Sequence, residues 1–420
     1  MSAAIPTSPK NESRLRAMGC FVLLAVALNV SLGDKVRLSQ WHVDSDVNAA
    51  VAEGAAWLNG RLDIPFRGTD ASNADERPWD TAAFDGKVYN VFPPLVALLT
   101  VVLHPLHSML LGLPDGVWSP WTFAWLVYWP LPITAFLVFR RRVGDSAWGA
   151  LLAFGFIGAT AVYPNLQLTG RGLLGQMNHT LSGIGLLILA DDLLGPRRFW
   201  PGLIGLFIAT YTRQVTLLYG LALIWAAWHF RGPKMAAGCL GAIIIIVAPL
   251  LMLNQAKFGS PFEFGYKYIY VGRDDEFARN CAQYGVFSPH FLPGNAWFMH
   301  LALPELAELD PNRLLIREAN PYGTSIWITT PLLLLVLWNA GTWWSSLAGR
   351  AMMLCTLLIM AVLLCYHTPG HWGHGYSRFA MDFIVIWLVV IAPLTRGCRR
   401  TPATLACIAW SAWYFQCLKV

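Results

Sequence analysis

The stretch that sets the topology of this chain is "AAFDGKVYNVFPPLVALL", residues 82–99. It places a polar turn at Asp85-Gly86 and a double proline at Pro93-Pro94 directly before an apolar run that extends to residue 112. Proline lacks the backbone N–H that a helix interior needs, so the pair predicts the start of a helix rather than its middle. Whether that helix crosses a membrane decides which side every later loop faces.

The composition is that of an integral membrane protein. The chain has 420 residues, of which 56% are hydrophobic and 13% charged, with a mean hydropathy of +0.48. Soluble domains carry about 25% charged residues. Charge-free runs at 121–139, 235–253 and 351–366 approach the length that a bilayer core demands of a helix. The twenty tryptophans fit the two interfacial belts of such a protein.

The basic residues decide the topology. If every apolar run crosses, the chain has about twelve spans, and the clusters at 140–142, 197–198 and 231–234 lie opposite the basic N-terminal tail. Short connections rich in Lys and Arg stay cytoplasmic, which disfavours that arrangement. If the run 95–112 does not cross but lies at the outer interface, all these basic clusters face the cytoplasm. His104, Pro105 and His107 interrupt that run, as an interfacial helix tolerates better than a lipid-buried one.

We therefore predict an all-α fold, a polytopic transmembrane helical bundle of about eleven spans with a cytoplasmic N-terminus. Lys10, Arg14 and Arg16 precede the apolar residues 17–32, which we interpret as the first span rather than a cleaved signal. The predicted spans lie near residues 17–33, 120–139, 146–162, 176–193, 199–212, 214–230, 235–253, 324–341, 351–366, 380–395 and 402–418.

The polar residues concentrate on the outer face. Residues 34–119 form the first external loop and 254–323 the second large one, within a single membrane domain of residues 1–420. Ten of the 24 acidic residues lie in 34–90 and eight in 254–323. The net charge of +6 comes from short basic connections, which argues against a nucleic-acid partner. The eight cysteines are scattered, and His367, His371 and His374 lie in a glycine-rich stretch, so the sequence supports no metal site or other cofactor.

Three carboxylates of the first loop are candidates for a general base. Asp44 and Asp46 precede a helix-forming stretch, Val47 to Leu58, and Asp80 stands in "RPWDTAAFDGKVY". Asp44 or Asp46 would also serve as the N-cap of that helix. The alternative is that one of them, Asp46 first, deprotonates an acceptor hydroxyl at the membrane surface.

Two arginines stand next to predicted outer helix ends. Arg213 lies between two apolar segments, and Arg378 precedes the span 380–395. Ionisable groups at membrane depth are costly and are functional candidates by default. The planar guanidinium suits a phosphate, because it binds oxyanions through two donors and stays charged. A snorkelling arginine remains open for Arg213, and Asp382, one turn after Arg378, is a structural partner for that residue.

The first loop resembles that of the polytopic GT-C glycosyltransferases. The matching residues are Leu58-Asn59-Gly60-Arg61, Gly86-Lys87-Val88-Tyr89 and Phe92-Pro93-Pro94, and shorter matches occur at 178–190, 207–224, 254–266 and 373–393. The resemblance implies juxtamembrane helices in the first loop and an enzyme of the bacterial inner (plasma) membrane. It also implies inverting transfer of a sugar from a polyprenyl-phosphate carrier in the membrane lipid to an acceptor on the non-cytoplasmic face. Arg213 corresponds to the cation near the carrier phosphate, and the matches add Tyr89, Asn178, His179 and Tyr266 as candidate substrate-binding residues.

One departure keeps other functions open. Many relatives carry an acidic residue in the outer connection that here reads "YPNLQLTGRGLLGQMNHT", residues 163–180, and this chain has none. An inactive relative of these enzymes is therefore an alternative. A lipid or solute transporter or flippase is another, although it would place ionisable residues in mid-helix, whereas nearly all charge here lies in loops or at helix ends.

Overall fold

The computed structural model describes residues 14–32, 43–44, 49–112, 117–118, 128–170, 177–304 and 323–417, apart from positions 67, 69, 75, 79, 339, 369 and 371–375. Within these ranges the chain is mostly helical. Its helices are α1 Arg14–Leu32, α2 Ala49–Leu58, α3 Leu95–Leu111, α4 Pro130–Val143, α5 Ser146–Gly158, α6 Val162–Gly170, α7 Met177–Leu194, α8 Trp200–Thr210, α9 Tyr219–Arg231, α10 Pro233–Phe258, α11 Glu276–Tyr284, α12 Leu292–Ala296, α13 Ile326–Thr329, α14 Leu334–Trp338, α15 Ala340–Ser345, α16 Leu347–Leu364, α17 Met381–Ile391 and α18 Arg400–Cys417.

Among the described residues, three helices are long and apolar enough to cross a membrane by themselves. They are α1, α10 and α16. A fourth candidate is the pair α5 and α6, which meet at an angle of 62°. Shorter apolar helices include α3, α8 and the segment Met381–Leu394. The chain therefore carries the apolar helices of a membrane protein, and the number of spans stays a prediction.

The centre of the bundle is formed by α7 and α17. Every residue of α17 is buried, and nearly all of α7 is. Helices α7 and α8 cross at two glycines: a Cβ on Gly185 would lie 2.5 Å from the carbonyl oxygen of Gly205. Small residues at a crossing let two backbones approach closely, as is common between membrane helices.

Two predicted spans differ in shape from the expectation. The region 146–162 was expected as one span followed by a loop, but helix resumes at Val162 and continues to Gly170. The region 324–341 is divided into α13, a 3-10 turn at Pro331–Leu333 and α14. Pro331 has no N–H to donate and so ends the regular helix there.

The all-α expectation holds except for two small antiparallel sheets. Strands β1 Val43–Asp44 and β4 Val117–Trp118 form one of them. Strands β2 Thr81–Phe84 and β3 Lys87–Asn90 form a hairpin. Its two-residue loop is Asp85-Gly86, with φ of 51° and 69°. Positive φ at both positions suits the right-handed twist of the strands, which explains the preference for Asp-Gly. The predicted turn is confirmed.

The double proline leads into a helix anchored at its start. The backbone N–H of Leu95 donates to the Tyr211 carbonyl at the end of α8 (2.9 Å). Val96 and Ala97 are fully buried, whereas Val102 and Met109 are 71% and 82% exposed. At 17 residues, α3 is about 25 Å long, less than the roughly 30 Å of a bilayer core. Helices α2 and α3 lie within residues 34–119, the predicted first external loop.

A buried ion pair joins this loop to the end of α10. Lys257 and Glu53 form a salt bridge between side chains that are 3% and 0% exposed. Asn90, the last residue of β3, donates to Glu53 Oε2 (2.7 Å), and its carbonyl accepts from Lys257 Nζ (3.1 Å). A buried charge must be paired and hydrogen-bonded, so this contact fixes α2, the hairpin and α10 relative to one another.

Candidate functional site

A cavity of about 440 Å³ collects five of the predicted site residues, Asp80, His179, Arg213, Tyr266 and Arg378. Phe92 and Pro93, directly before α3, also contribute to its wall. Much of the remaining wall is apolar and comes from helix ends and the second loop: Leu217, Leu218, Phe287, Val362, Leu363 and Phe379. The residues that sequence reasoning proposed separately for phosphate and base chemistry therefore share one cavity.

Arg213 enters this cavity as one half of a buried ion pair. Its Nε lies 3.1 Å from both carboxylate oxygens of Asp382, and its Nη2 lies 2.7 Å from Oδ2. The Asp382 side chain is completely buried, and that of Arg213 is 15% exposed. The expected partner of Asp382 was Arg378. The structure instead shows its carboxylate hydrogen-bonded to Arg213. The Nε and Nη2 edge of the Arg213 guanidinium is thus occupied by Asp382, and the Nη1 side is left for a ligand.

Phe379 forms a platform for the cationic side of the cavity. The guanidinium carbons of Arg213 and Arg378 lie 4.8 Å and 5.5 Å from its ring centroid. The imidazole of His179 stacks against the same ring, with centroids 6.2 Å apart. Contact with an aromatic face stabilises a cation and fixes its plane. Phe379 is not among the predicted site residues, although it stands between Arg378 and Asp382, the lone acid of an apolar run.

Asp80 belongs to the walls of two cavities. Besides the apolar one, it lines a polar cavity of about 370 Å³, together with Arg77, Thr81, Arg273 and Asp275. Its φ is +61°, a left-handed conformation that few residues other than glycine adopt. Asp and Asn tolerate this region, and such conformations are concentrated at functional sites. The strained residue therefore stands immediately before β2, between the two cavities.

Two tyrosines near Asp80 stay protonated. Burial raises the pKa of Tyr266 and Tyr270, and the negative charge of Asp80 adds a smaller contribution to each. The Tyr266 hydroxyl donates to Gln214 Oε1 (3.3 Å). A phenol that keeps its proton at neutral pH remains a hydrogen-bond donor. Tyr266 and Tyr270 therefore contribute neutral aromatic side chains to the cavity wall.

Tyr270 is bonded to a buried histidine. Its Oη lies 2.5 Å from His367 Nε2. Burial lowers the pKa of His367 to about 4, so the imidazole is neutral at physiological pH. The backbone N–H of His367 donates to the Val286 carbonyl, which joins the end of α16 to the second loop (3.0 Å). His367 is thus a buried residue with a defined partner.

The other predicted site residues lie elsewhere. Tyr89 packs against Phe258, with ring centroids 5.5 Å apart, in a small aromatic core under the hairpin. Asn178 is buried in the first turn of α7, beside His179 but outside the cavity wall. The backbone of Asp44 pairs with Val117 in the short sheet, and its side chain is outside the described part of the chain. Asp46, the first choice for the base, also falls outside the described residues.

Metal ligands are not grouped in the described part of the chain. Its residues include no cluster of three or more His, Cys, Asp or Glu side chains that could hold an ion. His371 and His374 lie outside the described residues, so the histidine-rich stretch is only seen at His367.

Comparison with known proteins gives no family assignment. No protein-family model matches the chain, and no curated protein matches it. The features of this protein that indicate a function are therefore the cavity and the sequence motifs.

Proposed function

We propose that this protein is an integral membrane glycosyltransferase of the bacterial inner membrane. In this proposal it moves a sugar from a polyprenyl-phosphate carrier to an acceptor on the non-cytoplasmic face. The observation that carries the proposal is one cavity whose wall contains two arginines, Arg213 and Arg378, the carboxylate Asp80 and apolar helix ends. Such a cavity suits a ligand with an anionic head and a hydrocarbon tail.

The carrier phosphate binds on the platform of Phe379, against Arg378 and the Nη1 edge of Arg213. Leu217, Leu218 and Val362 offer a surface for the prenyl chain. Carrier-linked sugars are already activated. The protein therefore contributes mainly by holding the reactants and by stabilising the negative charge of the departing phosphate.

The charges at the proposed phosphate position, apart from Asp80, favour a monoanionic donor. Arg213, Arg378 and Asp382 sum to one positive charge, because the buried carboxylate cancels one guanidinium. A phosphodiester-linked sugar carries one negative charge and a diphosphate-linked sugar carries two. Burying an uncompensated charge is costly, so we expect the monophosphate carrier to be the better donor.

The chemical step is a single displacement that inverts the anomeric carbon. The acceptor oxygen attacks C1 of the sugar as the bond from C1 to the phosphate oxygen breaks, and the electron pair leaves with the phosphate. The acceptor proton passes to a carboxylate of the first loop. Asp80 is the described carboxylate in the cavity wall, and Asp46 and Asp44 remain the alternatives.

The test is a transfer assay with purified protein. Radiolabelled sugar is supplied on a short-chain polyprenyl monophosphate or on the matching diphosphate, with a membrane extract as the source of acceptor. We expect label to enter acceptor from the monophosphate donor at least tenfold faster. Movement of intact labelled carrier across a vesicle bilayer without sugar transfer would instead support the transporter alternative. If neither sugar transfer nor carrier movement is detected, the protein is an inactive relative of these enzymes.

A further inference from the structure

The polar cavity beside Asp80 differs in chemistry from the apolar one. It is lined by Arg77, Asp80, Thr81, Arg273, Asp274 and Asp275. Asp80 and Ile269 belong to the walls of both cavities. The two spaces therefore meet at the residue proposed to take the proton.

The cationic groups of this polar cavity are already engaged. Both Nη atoms of Arg77 face backbone carbonyls, with the shortest distance, 2.6 Å, to Val271. Arg273 binds Asp275 through Nε (2.7 Å) and Nη2 (2.6 Å). Asp80 and Asp274 are exposed residues of the same wall, and their carboxylates are hydrogen-bond acceptors, although one oxygen of Asp274 already accepts from Arg279 Nη1 (2.9 Å). Such a wall repels anions and favours a neutral molecule rich in hydroxyl donors.

The walls of the polar cavity are held in fixed positions. Arg77, from the first loop, bridges to Tyr268, Ile269 and Val271 of the second loop. Gly272 has φ of +77°, and a Cβ there would lie 1.8 Å from the Ser72 carbonyl oxygen. The two loops therefore meet backbone to backbone, and the cavity is formed before a ligand arrives. Preorganised groups cost less to order on binding.

We infer that the polar cavity is the acceptor site and that the acceptor is a carbohydrate, bound through its hydroxyl groups. This inference rests on the proposed function. The attacking hydroxyl loses its proton to Asp80, a new C1–O bond forms, and the phosphate leaves toward the arginines. A lipid acceptor would find little apolar surface in the polar cavity, where Ala74 and Ile269 are the main apolar contributors.

Binding can be tested separately from turnover with two blocking variants. Ala74→Trp fills the polar cavity, and Val215→Trp, its matched control, fills the apolar one. Both positions are half-buried, so a large side chain is accommodated at the surface. The probes are a panel of neutral disaccharides, followed by saturation-transfer NMR on the detergent-solubilised protein, and a labelled polyprenyl monophosphate, followed by equilibrium binding.

We expect Ala74→Trp to weaken disaccharide binding at least tenfold and to leave carrier binding unchanged, with the reverse for Val215→Trp. Asp274→Asn, which replaces one carboxylate oxygen by an amide donor and removes the charge paired with Arg279, should weaken disaccharide binding several-fold. The inference is overturned if no disaccharide gives a signal, if Ala74→Trp binds as the parent does, or if a lipid or peptide acceptor is used and Ala74→Trp leaves its transfer unchanged. If the unmodified protein does not bind the labelled polyprenyl monophosphate, the proposed function itself is contradicted.

Discussion

Asp80 combines a strained backbone with a position between two cavities. Asp80→Asn keeps a side chain that tolerates positive φ but cannot accept a proton. We expect transfer to fall by roughly 10²–10⁴-fold, the contribution of a positioned base, with an unchanged melting temperature. The measurement is initial rate at saturating carrier, with thermal unfolding alongside.

Asp85→Asn is the matched control, because Asp85 also has positive φ but occupies the hairpin turn. It should transfer at the parental rate. If Asp80→Asn retains near-normal turnover and Asp46→Asn does not, the base is Asp46, as the sequence first suggested.

Because Arg213 is paired with Asp382, replacing the arginine alone affects both protein stability and carrier binding. Arg213→Ala leaves a buried carboxylate unpaired, which costs roughly 3–5 kcal/mol of stability. The double change Arg213→Met and Asp382→Leu removes both charges and should restore much of that stability. Carrier affinity should nevertheless stay about tenfold or more below the parent, since one charged donor to the phosphate is lost. Unfolding and carrier titration on both variants separate the two effects.

Arg61→Ala serves as the control for that series, because Arg61 and Asp63 form an exposed pair. Its effect on stability should stay below about 1 kcal/mol. A double variant that binds carrier as tightly as the parent would remove Arg213 from the phosphate site.

At the level of elements, the end of α16 is joined to the second loop by a neutral histidine. The pKa of His367 is about 4 in the folded protein, against an ordinary value of 6.5. Between these values the unfolded chain binds the proton and the folded imidazole does not, so acid favours unfolding. The contribution is fully present above about pH 6.5 and is lost toward pH 4, with a total of about 3 kcal/mol. His367→Gln should flatten the dependence of melting temperature on pH in this window, and an unchanged slope would show that other groups cause it.

The contact between α2, the hairpin and α10 depends on one buried pair. Glu53→Ala leaves Lys257 charged and unpaired in the interior, so we expect a loss of roughly 3–5 kcal/mol. Glu263→Ala removes the half-buried partner of the exposed Lys267 and should cost below about 1 kcal/mol. Chemical denaturation in detergent measures both. Equal effects would mean that the buried pair does not stabilise the joint between these elements.

For the whole molecule, the central prediction is the side on which each loop lies. Reporters fused after Arg142 and after Arg198 should lie in the cytoplasm, and one after Asp274 should lie outside, because basic connections stay inside. The limited length of α3 and its contact with the end of α8 support an interfacial position. A reporter after Arg142 found outside would mean that α3 crosses the membrane, and both cavities would then need a new assignment of sides.

Local features of this protein could be predicted from the sequence because their causes are local. The Asp85-Gly86 turn follows from the two positive φ values that a short hairpin requires, and the start of α3 follows from Pro93-Pro94. The helix of the first loop was predicted over 47–58 and runs over Ala49–Leu58. The hydrophobic runs predicted the apolar helices, but Pro331 interrupts the predicted span 324–341.

The identity of charge partners was decided only by tertiary structure. Arg213 and Asp382 are 169 positions apart, and both Arg378 and Arg213 were available to one carboxylate. Arg77 meets the second loop more than 190 positions away, and that contact creates the polar cavity. Such pairings depend on which helix ends and loops the packed bundle brings together. A sequence indicates that a lone acid in an apolar run needs a partner, but the fold selects that partner.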